Sequence, residues 1–279
     1  MLIINADDFG LSSGVNTAIV ACYQAGSLSS TTLMANMSAA EDAIALAKEY
    51  PGLGVGLHFN LSTGKPLCPT DKVSSLIASN GEFQQRGVAE KKAISRQFQS
   101  KEILAELKAQ WGFLLDNELV PTHIDSHQHI HVFPAVFDVV AGFCVENNIP
   151  LRIPKTWRPN SGVPFKRHVR MWLLNLMIKR NMNRWNGKLV VNESFASIFD
   201  LQIEPKDIST RNYREILQAM HSSPLELMVH PADVDFEHEK ITGISEVSRR
   251  DFEIFSKENF GDVARNLGYD LIKYSNLKR

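Results

Sequence analysis

Residues 1–10 read MLIINADDFG, an apolar run that ends directly on two adjacent carboxylates, Asp7 and Asp8. The apolar residues predict a buried strand. The periodic stretch behind them, SSGVNTAIVACYQAG at residues 12–26, predicts a helix with a serine cap. Two like charges are costly to bury unless solvent or a cation compensates them. This stretch therefore predicts a strand–helix unit with a charged site at the end of its strand.

The same strand–helix order continues along the chain. Such alternation is typical of parallel strands joined by crossover helices. We count seven or eight units, against the eight of a full TIM barrel, and predict one α/β domain over residues 1–279 with TIM-barrel-like parallel strands. The further predicted strands are STTLMAN (30–36), GVGLHFNL (54–61), THIDSH (122–127), LRIP (151–154), FASIF (195–199), LELMVHP (225–231) and YDLIKYS (269–275).

The composition narrows the class of protein. At 279 residues and 44% hydrophobic, the chain suits one large globular domain, and its net charge of −1 argues against a nucleic-acid partner. Three cysteines without a CxxC pair argue against a disulfide framework or a thiolate zinc site and suit a reducing compartment. No apolar run reaches the length of a membrane span, and we expect no signal peptide because Asp7 and Asp8 interrupt the only early apolar run. We expect a cytoplasmic protein without a membrane partner.

One region, residues 151–190, is basic, with ten Lys or Arg and no Asp or Glu. We interpret residues from about 155 to 190 as an inserted helical segment with a solvated basic face. An alternative is a basic rim that attracts an anionic substrate such as a sugar phosphate. A nucleic-acid patch is the least supported interpretation, because no binding motif accompanies the charge.

Ionisable residues recur at the predicted strand ends. In parallel α/β folds these ends meet at one edge, where active sites form. A histidine at such an end can exchange a proton near neutral pH, and a buried arginine there needs an anionic partner such as the carboxylate of Asp7. The residues concerned are Asp7, Asp8, His58, Arg152 and His230.

The richest stretch is THIDSHQHIH at residues 122–131, with four of the nine histidines and one aspartate. An extended segment would place all five on one face, and a helical turn would pair His127 with His131. Both geometries allow a metal site with imidazole and carboxylate ligands. Whether His129 or His131 is a further ligand stays open.

Five motifs in order resemble the YdjC-like carbohydrate deacetylases, the chitooligosaccharide deacetylase family. They are NADDFGLSSGVN (5–16), STTLMAN (30–36), GLHFNLSTGKPL (56–67), PTHIDSHQHIH (121–131) and MVHPA (228–232). The resemblance extends from residue 1 to about 235 and is weakest over residues 155–190. It implies a distorted (β/α) barrel that holds one divalent metal ion through one aspartate and two histidines.

The resemblance also assigns roles to individual residues. It implies that Asp8, His58 and His127 are the metal ligands. By a more distant similarity to the polysaccharide deacetylases, Asp7 is the catalytic base, Arg152 is its partner, and His230 is the acid. Magnesium is favoured by the resemblance, while zinc and manganese also suit these ligands. A homodimer is implied by the resemblance alone.

The expected reaction is hydrolysis of the N-acetyl group of an amino sugar, such as a small chitooligosaccharide or its phosphate, with release of acetate. Three alternatives stay open. The first is another metal-dependent reaction on the same scaffold, such as hydrolysis of a sugar or a phosphoester, or an isomerisation. The second is a non-catalytic sugar-binding protein. The third is nucleic-acid binding through residues 151–190, which salt dependence would reveal.

Overall fold

The computed structural model describes residues 1–155, 165–185, 187–201, 203–234, 241 and 243–278. The strands are β1 (Leu2–Phe9), β2 (Ser30–Leu33), β3 (Gly54–Phe59), β4 (Ile124–Ser126), β5 (Ser194–Ser197) and β6 (Leu225–Val229). The helices are α1 (Ser13–Gln24), α2 (Ala40–Glu49), α3 (Arg86–Ile94), α4 (Ser100–Asp116), α5 (Pro134–Asn147), α6 (Phe165–Arg184), α7 (Thr210–Ala219), α8 (Ser245–Lys257) and α9 (Phe260–Asn266).

The strands form one curled, half-barrel sheet in the order β4-β3-β2-β1-β6-β5, and every neighbouring pair is parallel. The predicted α/β class with parallel strands is confirmed. Each strand is buried along its whole length, as expected for a parallel sheet that helices cover. The predicted serine cap of α1 is Ser12, whose hydroxyl accepts from the backbone N–H of Val15.

The described residues contain six strands in place of the seven or eight that the sequence predicts. The segment LRIP contributes only bridges at Leu151, which pairs with Ile124 in β4 and with Val191 just before β5. Pro154 has no N–H to donate, so a ladder cannot continue through it. The outer strands of the sheet are therefore connected through Leu151 by isolated parallel bridges.

The C-terminal segment is also reduced to one bridge, between Leu271 and Leu2, before a 3-10 turn at Tyr274–Asn276. Tyr274 is fully buried, and its ring stacks on His123 at 3.8 Å. Gly56 makes room for that pair, because a Cβ on this glycine would lie 2.4 Å from the His123 ring.

Part of the predicted basic segment is helical. Helix α6 spans Phe165–Arg184, whereas residues 156–164 and 186 lie outside the described residues. Among the helices that the structure describes, none has the length and apolarity needed to cross a bilayer.

Candidate active site

An irregularity in β1 positions the two adjacent acids. Consecutive residues of a regular strand point to opposite faces. The pairing of β1 with β2 shifts register between Ala6 and Phe9, and Asp8 has a left-handed backbone with φ of 71°. Asp7 and Asp8 are both buried and line the same cleft. A β-bulge therefore brings both carboxylates to one site.

Three side chains meet around the Asp8 carboxylate. Asp8 Oδ1 lies 3.2 Å from His58 Nε2 at the end of β3 and 3.0 Å from His127 Nδ1 just after β4. One ligand atom from each of these residues lies within 4.8 Å of the others. Burial alone would raise the pKa of Asp8, yet the His127 and His58 imidazoles hold it well below its usual value.

This trio suits a divalent cation. Two imidazoles and a carboxylate are common ligands of such ions. His127 Nε2 is buried without a hydrogen-bond partner among the described residues, an unusual state for a buried polar atom. The three residues that the resemblance names as ligands are therefore together in space.

The orientation of His58 is set by Asp125. Asp125 Oδ1 lies 2.7 Å from His58 Nδ1, and the two residues pair directly across β3 and β4. Holding the proton on Nδ1 leaves Nε2 free to face Asp8, the arrangement of a carboxylate–histidine–metal unit. Thr32 also donates to Asp125 Oδ2 at 3.0 Å.

Arg152 binds three buried carboxylates at once. Its Nη1 and Nη2 donate to the two oxygens of Asp7 at 2.7 Å each. Nη1 lies 2.6 Å from Asp125, and Nε donates to Glu226 at 2.7 Å. Asp7, His58 and Asp125 form a second group whose ligand atoms are close enough together to hold a metal ion. A cation at that group would lie against the positively charged Arg152 guanidinium, so the trio of Asp8, His58 and His127 is the better metal site.

Three buried carboxylates lie close together in this network: Asp7 and Asp125 contact the Arg152 guanidinium, and Asp8 contacts His58 and His127. Burial disfavours a charge on His58, but Asp125 and Asp8 raise its pKa to about 10, so a proton on His58 adds positive charge to the metal-free site. A divalent ion at the Asp8 trio would replace that proton as the compensating charge.

Glu226 and Tyr274 extend the network below the site. Both are fully buried, and the Tyr274 hydroxyl donates to Glu226. Burial raises the pKa of Glu226 to about 7, against the opposing effect of Arg152. The sequence feature that could have predicted Glu226 is an acid inside the otherwise apolar strand LELMV. No sequence feature near Tyr274 indicates that this residue belongs to the site.

His230 directly follows β6 and lies near Asp7. Its Nε2 is 3.9 Å from Asp7 Oδ2, near but beyond hydrogen-bond length. Its backbone N–H donates to Asp251 at 2.8 Å, and its ring packs edge-on against Phe199. His230 Nδ1 is buried and has no partner in the part of the chain that the structure describes.

The two remaining histidines of the cluster take different positions. His131 uses both ring nitrogens inside the protein, with Ser126 at 2.5 Å and the Arg152 carbonyl at 2.9 Å. His129 lines the cleft and packs edge-on against Phe195 at 5.6 Å. Neither belongs to the ligand clusters found among the described residues.

The site opens into a cleft of about 700 Å³, within the size range of small-molecule sites. Its walls mix apolar and polar side chains around Asp7, Asp8, His58, His127 and His230. The apolar ones are Met171, Leu174, Phe195, Phe199, Met228 and Ile244, and the polar ones are Arg86, Gln128, His129, Ser197 and Asp200.

Comparison with known proteins places the chain in a family. A sequence model described as YdjC-like protein matches residues 1–266. The chain belongs to the YdjC-like family. A carbohydrate deacetylase of Geobacillus stearothermophilus is 47% identical over 158 residues, which are 57% of this chain and 61% of that protein. A chitooligosaccharide deacetylase of Proteus mirabilis is 32% identical, with 99% of this chain and 98% of that one covered.

One solved structure shares the fold. It comes from Enterococcus faecalis V583 and is named for cellobiose-phosphate cleavage. Its TM-score to this chain is 0.79 at 23% identity, with 98% of this chain and 97% of that one covered. The YdjC-like fold of this chain thus matches a solved structure over nearly its full length.

Proposed function

We propose that this YdjC-like protein is a metal-dependent carbohydrate deacetylase that hydrolyses the N-acetyl group of an amino sugar and releases acetate. One observation carries the proposal. The buried trio of Asp8, His58 and His127 lies beside Asp7 in a cleft of about 700 Å³, and Arg152 donates hydrogen bonds to both oxygens of the Asp7 carboxylate. The relatives named as carbohydrate and chitooligosaccharide deacetylases support the substrate class.

Asp8, His58 and His127 would hold one divalent cation, which when bound polarises a carbonyl and lowers the pKa of a water molecule. Magnesium follows from the resemblance, and zinc and manganese are alternatives that suit the same donors. Asp125 lies 2.7 Å from His58 Nδ1, and a proton held on Nδ1 by this contact would leave His58 Nε2 available to the cation.

Asp7 is the general base in this proposal. Arg152 donates to both carboxylate oxygens, and Asn5 Nδ2 also donates to Oδ1 at 2.9 Å, which fixes the plane of the carboxylate and leaves a lone pair on Oδ2 to accept the proton. Asp7 accepts a proton from the water that attacks the acetyl carbon. Arg152 stabilises the ionised carboxylate before the attack and orients it for proton transfer.

His230 is the general acid. Its Nε2 lies near Asp7 Oδ2 on the cleft wall, so a substrate nitrogen above Asp7 would be within its reach. His230 gives a proton to the amine nitrogen as the C–N bond breaks, because an amine leaves poorly as an anion. The water oxygen is then part of acetate and the amine carries the proton from His230. Asp7 releases the proton that it took from the water, and His230 takes up a proton again, by exchange with solvent.

Finer features belong to the same proposal. The substrate is a small chitooligosaccharide, and a basic rim around α6 is the alternative under which its phosphate would also bind. The chain forms one domain over residues 1–279, in which the Leu151 bridges complete a distorted barrel. We further infer, from the resemblance, a cytoplasmic homodimer.

Acetate release from diacetylchitobiose and from its phosphate tests the proposal. The protein is assayed as prepared, after chelation, and with magnesium, manganese or zinc returned singly. Release that stops on chelation and returns with one metal is the expected result. No acetate from a folded, metal-loaded protein would contradict the proposal, and phosphate release from sugar phosphates would instead indicate a phosphoester hydrolase.

A further inference from the structure

The chain adopts a strained conformation directly after the ligand His127. Gln128 has φ 55° and ψ 22°, and His129 has φ 56° and ψ 31°. Both values lie in the left-handed region, which residues other than glycine adopt at an energetic cost. Strained residues of this kind cluster at functional sites, where the rest of the fold holds them in place.

The strain places two polar side chains on the cleft wall. Gln128 and His129 both line the cleft that contains Asp8 and His58. Gln128 Oε1 and His129 Nδ1 are turned away from the open cleft and are buried without a hydrogen-bond partner among the described residues. The Nε2 atoms of both side chains are not among these enclosed atoms, and no hydrogen bond of the described residues involves them. The two Nε2 atoms are therefore the groups that a ligand in the cleft can reach.

The two side chains differ in how they are held. The His129 ring packs edge-on against Phe195, and the Phe195 ring in turn lies 5.6 Å from the Arg152 guanidinium. His129 is therefore fixed against the same network that holds Asp7. The terminal torsion of Gln128 is broad, so its amide can turn either polar atom towards the cleft.

We propose that Gln128 and His129 form a subsite that binds the ring hydroxyls of the acetylated sugar unit. A hydroxyl is both donor and acceptor, and an amide or a neutral imidazole offers both functions as well. Neither side chain carries a permanent positive charge, so the pair suits a neutral hydroxyl better than a phosphate. This inference rests on the proposed deacetylase function and names the part of the substrate that these residues recognise.

The backbone strain provides clean test variants. Gln128→Gly and His129→Gly each remove a side chain at a position where glycine relieves the backbone, so loss of folding is not expected. Asn148→Gly is the matched control. Asn148 is also left-handed, with φ 54°, but it is an exposed residue at the C-terminal end of α5, away from the cleft.

Calorimetry measures binding of two separate ligands, chitobiose and acetate, which stand for the two halves of the substrate. We expect each cleft variant to weaken chitobiose binding about tenfold, roughly the loss of one hydrogen bond to a buried group. Acetate binding, bound metal and thermal stability should stay unchanged. Asn148→Gly should match the wild type throughout.

Three results would overturn the subsite. The first is that both cleft variants bind chitobiose within twofold of the wild-type affinity. The second is that they lose affinity for chitobiose and for acetate equally. The third is that the wild type does not bind chitobiose. Acetate release from diacetylchitobiose is measured on the same samples. Its absence from the wild type would contradict the proposed deacetylase function, whereas loss of chitobiose binding alone concerns only the subsite.

Discussion

Replacing Asp125 with asparagine is expected to weaken divalent-cation binding about 10–100-fold, although Asp125 is not itself a proposed ligand. The substitution keeps the shape of the side chain and removes its charge. Its effect depends on what surrounds the carboxylate. Oδ1 lies 2.7 Å from His58 Nδ1, whereas Oδ2 accepts from Thr32 and lies 2.6 Å from Arg152.

No orientation of the asparagine amide satisfies these neighbours. An NH2 group at the Oδ2 position meets the Arg152 guanidinium, so two donors face each other. An NH2 group at the Oδ1 position forces the His58 proton onto Nε2, the nitrogen that faces Asp8. The first arrangement keeps the metal-binding tautomer at the cost of the contact with Arg152, and the second removes that tautomer. A 10–100-fold loss corresponds to about 1.4–2.7 kcal/mol.

Competition with a chelator measures the affinity of the wild type and of Asp125→Asn for magnesium, manganese and zinc. Asp262→Asn, at an exposed acid of α9, controls for the change of residue type. Thermal melts of the metal-free proteins check that each variant is folded. An Asp125→Asn affinity within twofold of wild type for every metal would refute the role given to Asp125.

Three further substitutions test the network and the packing below it. Arg152→Met leaves buried carboxylates without their shared cation, so urea unfolding should show a loss of about 3–5 kcal/mol, and a loss under about 1 kcal/mol would contradict this. Gly56→Ala places a Cβ 2.4 Å from the His123 ring, and the overpacking should cost about 1–3 kcal/mol in the same assay, whereas an unchanged unfolding curve would show that the ring moves aside freely. Burial raises the pKa of Asp251 from 3.8 to about 6, so the native state holds this proton more tightly than the unfolded chain. Wild-type stability should therefore fall relative to Asp251→Asn as the pH rises from about 4 to 6, and parallel curves would exclude the effect.

The sequence predicts the parts of the site that local patterns mark. MLIINADDFG predicts a buried strand that ends on two acids, and β1 ends there. The rule that strand ends share one edge predicts that His58, Arg152 and His230 approach these acids, and the structure brings them together. These features follow from hydrophobic periodicity, which a short segment of sequence shows, and from the general geometry of parallel sheets.

Other features depend on contacts between distant segments. The Tyr274 hydroxyl reaches Glu226 because the C-terminal segment returns to β1, a pairing that no local pattern specifies. The strained backbone of Gln128 is equally hidden, because glutamine is not a residue type that favours positive φ. The predicted strands at LRIP and YDLIKYS form only isolated bridges, two at Leu151 and one at Leu271, because Pro154 and the turn at Tyr274–Asn276 end these segments.

The most direct test of the account compares Asp7→Asn with Asp8→Asn, with bound metal and acetate release measured on the same purified samples. These neighbours have different proposed roles, since Asp8 is placed as a ligand and Asp7 as the base held by Arg152. We predict that Asp8→Asn loses both metal and turnover, whereas Asp7→Asn keeps its metal and loses turnover. Near-normal turnover by a metal-loaded Asp7→Asn enzyme would contradict the account.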